Sequence, residues 1–189
     1  MAMVERRPVV VARGLQQSPR DRLLCEMTTK GTLLFISALL IWLPLAKADD
    51  RPSGIPDEAK YVKVDRVIDG DTIVLMDGSR VRLEGIDAPE RDQPYGPTAT
   101  AALEYMVGRS VYYVETDKDR YERMLATLYH SKEGYNINAS LVCAGLAWWY
   151  ERYAPDNELL ESCHKEAQEA PKGLWEDEDP MPPWKWRRR

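Results

Sequence analysis

The sequence is poor in the residues that build zinc sites and histidine-driven nucleophiles. Its 189 residues include two histidines and three cysteines, with no Cys-x-x-Cys pair and no histidine cluster. Structural and catalytic zinc needs such ligands at close spacing, so a zinc-centred function is excluded. His130 and His164 complete no Ser-His-Asp pattern and receive no role.

An excess of positive charge is also missing. The net charge is −5, and Asp49 to Arg189 carries 19 Lys and Arg against 28 Asp and Glu. Sequence-independent nucleic-acid coating is driven mainly by neutralising phosphates, so a binder with a generally basic surface is excluded and any phosphate chemistry must be local.

No apolar run reaches the ~20 residues that span a bilayer comfortably. The longest, Thr32 to Leu45, contains Pro44, follows Lys30 and precedes Ala46-Lys47-Ala48. A basic start, an apolar stretch and a small-x-small ending read as an export signal cleaved after Ala48, to the periplasm or the outside; a retained membrane anchor is the alternative. Met27-Thr28-Thr29-Lys30 begins a signal of ordinary length, so translation is expected to start at Met27. The division that follows is residues 1–48 extension and signal, 49–59 linker, 60–175 folded domain and 176–189 tail. No internal repeat is present.

What is there begins with period-two alternation. Tyr61 to Val67, Thr72 to Met76 and Arg80 to Ile86 read as strands separated by Asp69-Gly70 and Asp77-Gly78 turns. Gly96-Pro97-Thr98 opens a helix that Gly108 ends. Ser110 to Thr116 and Arg123 to His130 are two further strands. Asn138 is expected to cap a helix over Ala139 to Trp149, and Asp156 or Asn157 another through Ala170. Mainly β with α, five strands and three helices, is the layout of an oligonucleotide/oligosaccharide-binding (OB-fold) barrel. Cys143 and Cys163 both fall in these helices, as a bridge or as two buried thiols; spacing leaves both open.

Carboxylates and guanidinium concentrate in two short stretches, Val67-Ile68-Asp69-Gly70-Asp71-Thr72 and Arg82-Leu83-Glu84-Gly85-Ile86-Asp87-Ala88-Pro89-Glu90. Asp71 and Asp87 at strand ends, with a backbone carbonyl and waters, suit a hard oxygen-seeking ion such as Ca²⁺. Taken singly, Asp69-Gly70-Asp71 is an ordinary turn and Arg82 and Arg123 ordinary strand arginines. Together they supply what phosphodiester hydrolysis requires: a charge clamp, a base for water and leaving-group stabilisation.

In these blocks the chain resembles the staphylococcal nuclease family: VIDGDT at 67–72, RLEGIDAPE at 82–90, YGPTA at 95–99, DRYERMLATLY at 119–129 and INASLVCAGLAWW at 137–149. The resemblance implies that Asp71 and Asp87 hold one Ca²⁺ beside the Ala88 carbonyl, that Glu90 is the acid-base glutamate, and that Arg82 and Arg123 clamp phosphate. It further implies that Arg120 and Tyr121 lie near the terminal phosphate of the substrate, with Tyr153 a further contact. The implied substrate is DNA, RNA or both, acted on by a monomer with no stable protein partner. Only Arg91-Asp92-Gln93-Pro94 separate Glu90 from Tyr95-Gly96-Pro97, so the basic residues of the family's longer loop are missing.

Two aromatic segments admit two readings each. Trp148-Trp149-Tyr150 is helical core or a base-stacking surface, and the tail Pro182 to Arg189 is a strap packed on the barrel or a grip on bases and phosphates. A noncatalytic OB-fold nucleic-acid-binding module is the rival of the enzyme. It gives no reason to retain Asp71, Arg82, Asp87, Glu90 and Arg123 together.

Overall fold

The computed structural model describes residues 50–189; the export-type segment and the Met27 start lie outside them. Among the described residues no helix is long and apolar enough to cross a membrane.

Alternating strands build the barrel. In chain order the first elements are β1 (Lys60–Asp69), β2 (Thr72–Leu75), β3 (Arg80–Leu83), β4 (Ile86–Asp87), α1 (Gly96–Val107), β5 (Ser110–Lys118) and β6 (Met124–His130). Then come α2 (Ile137–Cys143), β7 (Trp148–Trp149), α3 (Glu158–Glu169), a 3₁₀ turn (Gly173–Glu176) and α4 (Pro183–Trp186). Five strands close the barrel in the order β1-β2-β3-β6-β5. All neighbours are antiparallel except β3 and β6, whose parallel register sets Arg82 opposite Leu125. Ile73, Val81, Leu83, Val111, Ala126 and Leu128 fill the interior. α1 buries Ala99, Leu103 and Val107 against it.

The expected third strand is shorter than its alternation suggests. Gly85 takes a φ of 73°, a left-handed turn that glycine adopts without Cβ strain, and the chain leaves the barrel there. Ile86 and Asp87 then pair with Trp149 and Trp148 in a separate two-stranded ribbon. The expected helix over Ala139 to Trp149 ends at Cys143 for a related reason. Gly145, φ 65°, donates to the Val142 carbonyl and Leu146 to that of Leu141, the paired bonds of a Schellman ending. Trp148 and Trp149 are therefore a strand, not helical core. Asn136, not Asn138, caps α2 by accepting from the Ala139 N–H at 3.0 Å. Asn138 is buried and ties Leu128, Glu84 and Ala126 together through their backbones. Asn157 caps α3.

Cys143 and Cys163 are joined in a disulfide, which fixes α2 to α3. The segment read as a linker is part of the body from Ile55 onward, since Ile55 and Ala59 are buried. The tail contains the fourth helix and is a strap. Pro182 and Pro183 are buried, and the Trp184 ring stacks on Tyr150 at 5.0 Å and 7°.

Candidate active site

The site grows from the β1–β2 turn. Asp71 precedes β2 and is nearly buried. One carboxylate oxygen accepts from the Thr72 hydroxyl at 2.9 Å, the other from the Ala88 N–H at 3.1 Å. Gly70 makes this approach possible, because a Cβ there would lie 2.7 Å from that of Ala88 and 2.8 Å from that of Ala99. The turn around Gly85 sends Asp87 back toward β3, where its carboxylate is fully buried.

Arg82 stands between the two acids. It pairs with Asp71, and its Nη2 donates to Asp87 at 2.9 Å and to the Ile86 carbonyl at 3.2 Å. Burial pushes the Asp71 carboxyl up, but the charge and hydrogen bonds of Arg82 outweigh that and hold it below the usual range. Both carboxylates in turn hold Arg82 charged against its own burial. Asp69, next along, is raised to about 6 by burial and by the charge of Asp71.

Glu90 follows on a tight loop. Its N–H donates to the Gln93 side chain at 3.1 Å, and its carbonyl accepts from the Gln93 N–H at 2.9 Å. Gly96 is required beneath it, since a Cβ there would lie 1.9 Å from the Glu90 carbonyl oxygen.

Arg123 lies one residue before β6, two before Leu125, and so by alternation shares the barrel face of Arg82. Its own partner is Asp119, which accepts from Nε and Nη2 at 2.7 Å each and from the Arg123 N–H at 3.0 Å. Tyr121 and Arg120 belong to the same loop; Tyr121 is exposed, and the Arg120 and Arg123 guanidinium groups lie 4.7 and 5.5 Å from its ring centre. Tyr153 is exposed and packs edge-on to Tyr150 at 4.7 Å. Thus Asp71, Arg82, Asp87 and Glu90 form one group. Among the described residues, no hydrogen bond or ion pair joins Tyr153 or the Arg120–Arg123 loop to it.

The sequence reading missed the cation at the centre of this group. Arg187, from the C-terminal strap, donates to Glu90 at 2.6 Å and to the two oxygens of Asp87 at 3.3 and 2.8 Å. Gln93 was missed as well; its amide bridges Glu90 to the Met181 carbonyl of the strap at 2.6 Å. The only sequence signal for Arg187 is the tail's mixture of aromatic and basic residues, which cannot say where it docks.

The donor set fits a hard divalent ion. Two carboxylates, oxygen only, converge on Arg82, and a second guanidinium, Arg187, already stands as a cation on the outer side of Asp87. No group of three His, Cys, Asp or Glu side chains gathers as a metal cage among the described residues, so an ion held here would need other oxygens to complete its shell.

A family model for staphylococcal nuclease homologues matches residues 80–177, over half of the chain and including Arg82, Asp87, Glu90 and Arg123. The chain belongs to the staphylococcal nuclease family. Membership makes it an enzyme of the nuclease class. It is 45% identical over 131 residues to an uncharacterized endonuclease of Escherichia coli O157:H7, covering 67% of this chain and 84% of that protein. It is 40% identical over 138 residues to the micrococcal nuclease of Shigella flexneri, covering 67% and 79%. An uncharacterized endonuclease of Haemophilus influenzae matches over 162 residues at 36%, covering 83% and 85%.

Proposed function

We propose that this chain is an exported nuclease that hydrolyses phosphodiester bonds of DNA, RNA or both, acting as a monomer with one Ca²⁺-class ion at Asp71 and Asp87. The observation that carries the reading is the group around Arg82: two buried acids clamped by it, with Glu90 joined to one of them through Arg187. Export is supported by the signal-type segment before Asp49 and by the Cys143–Cys163 disulfide, a bond that persists in oxidising compartments.

The bound ion would supply charge to the phosphate and lower the pKa of water; the rest is the work of side chains. Glu90 takes a proton from a water whose oxygen bonds to phosphorus in line with the leaving group. The bond from phosphorus to the 5′ oxygen breaks, that oxygen is protonated by solvent, and a 3′ phosphate remains. Arg82 draws charge from the nonbridging oxygens, while Arg123, rotating from Asp119 to the phosphate, stabilises the transition state and the departing oxygen. Arg120, Tyr121 and Tyr153 are substrate contacts. The fork of a guanidinium serves both clamps; an ammonium would lose its bidentate geometry.

The test is incubation with DNA and with RNA, with Ca²⁺ and with chelator, comparing wild type with Glu90→Gln. Metal-dependent cleavage by wild type and its loss in a folded Glu90→Gln protein are expected. A folded wild type that binds but never cuts would make the chain a noncatalytic barrel instead.

A further inference from the structure

The C-terminal strap is anchored at several points around Arg187. Gln93 holds the Met181 carbonyl, Trp184 stacks on Tyr150, the Trp186 indole N–H donates to Asp92 at 2.9 Å, and Arg189 pairs with Asp92 at 3.2 Å. A one-turn helix between these anchors presents Arg187 to the acids. The guanidinium is therefore delivered to a fixed place and does not sample the surface at large.

What it covers is the cation seat. The Asp87 side chain is 1% exposed, while that of Arg187 above it is 43% exposed, so the guanidinium is the lid between the carboxylate and water. Oδ1 of Asp87 accepts from Arg82 and Arg187, and Oδ2 accepts from Arg187. Both oxygens are engaged, and two positive charges stand where a third would have to enter. The same guanidinium neutralises Glu90, the group needed as base.

We propose that the strap is an intramolecular competitor for the divalent ion. Arg187 occupies the seat on Asp87 and caps Glu90, and the ion enters only as Arg187 leaves. The nuclease is then latent at low divalent-ion concentration and is released by the ion itself. This rests on the reading of Asp71 and Asp87 as metal ligands, and it adds the partner against which the ion competes.

Apparent affinity falls by the fraction of time the competent state is populated, so a strap docked nine-tenths of the time weakens binding about tenfold. Calorimetric titration of the full chain with Ca²⁺ alone, without nucleic acid, measures this directly. Arg187→Ala should tighten the apparent Kd about tenfold, and Trp184→Ala, which removes the stacking anchor without touching the acids, should move it in the same direction. Arg187→Lys should fall between Arg187→Ala and wild type, and Asp87→Asn should lose binding. An Arg187→Ala protein that binds Ca²⁺ no more tightly than wild type overturns the competition while leaving the metal site standing. If that variant also turns over more slowly at saturating ion, Arg187 is a phosphate contact. Absence of binding in every variant, Arg187→Ala included, sinks the metal reading and the competition with it.

Discussion

Arg82 and Arg123, the two proposed phosphate clamps, sit in opposite surroundings. Arg82 is 15% exposed and is held by two buried carboxylates and a carbonyl, between strands of a closed barrel. Arg123 is 26% exposed and is held by one carboxylate, Asp119, and by the face of Tyr121, on a loop where Glu122 takes a left-handed φ of 58° and Tyr121 faces solvent. One arginine is fixed by the same acids that would hold the ion. The other has a single carboxylate, Asp119, to exchange for phosphate. A site divided in this way sets its charge in advance on one side and adapts to substrate on the other.

The largest expected effect separates the two. Arg82→Ala leaves buried Asp71 without its cation, Asp87 keeping only Arg187, and should lower the unfolding free energy by about 3–5 kcal/mol. Arg123→Ala removes one part-buried pair whose acid keeps its backbone N–H bonds, and should cost less, about 1–3 kcal/mol. Both should lose about 10²–10³-fold in turnover, as expected when one transition-state donor is removed. Denaturant unfolding beside a plasmid-nicking assay measures both quantities, and equal stability losses would dissolve the contrast. Arg82→Lys and Arg123→Lys should stay folded while losing most turnover.

Next is the disulfide, which belongs to the fixed side. It closes a separation of 20 residues that includes β7, the strand on which Asp87 is seated. Replacing Cys143 and Cys163 with serine should cost about 3 kcal/mol, on the loop-entropy estimate. Thiol titration of denatured, unreduced Asp49–Arg189, which lacks Cys25, should find neither sulfur free; two reactive thiols would remove the bridge from the account.

A smaller effect is expected behind Glu90. Gly96→Ala places a methyl against the Glu90 carbonyl, and relief of that overlap should cost about 1–3 kcal/mol. Because the carbonyl belongs to the base, kcat should fall more than KM rises. An unaltered kcat would mean that the loop yields without moving the carboxylate.

The barrel was legible because its signals are local: period-two alternation, Asp-Gly turns and Pro97 at a helix start all act within a few residues. Asp71, Arg82, Asp87 and Glu90 were legible as a group only through the order and spacing of several blocks together. The helix end at Cys143 was legible too, but its signal, Gly145 before the aromatic run, was outweighed by good helix formers on either side. Asn138 was misread as a cap because sequence does not show that its amide is needed inside, between three backbone groups. Arg187 was hidden more deeply. Its partners lie about a hundred residues upstream, and nothing in a Trp- and Arg-rich tail encodes which acids it meets.

The finest test of the divided site is its salt dependence. The described body combines an acidic balance with a compact arginine site, and three arginines are assigned to substrate phosphate: Arg82 and Arg123 at the reacting group and Arg120 at the terminal one. Counterion release scales with the number of phosphates neutralised, at about −0.9 per contact on duplex DNA. Three contacts predict a log–log slope of affinity against salt of about −3, measurable as KM at fixed free Ca²⁺. Arg123→Ala should flatten that slope by about one, because its side chain gives up only Asp119 to reach phosphate. Arg82→Lys should leave it nearly unchanged, since the charge remains while the fork is lost. A slope far steeper than about −3 in wild type would mean that substrate is gripped by a wider basic surface, with the arginines of the strap as the first place to look.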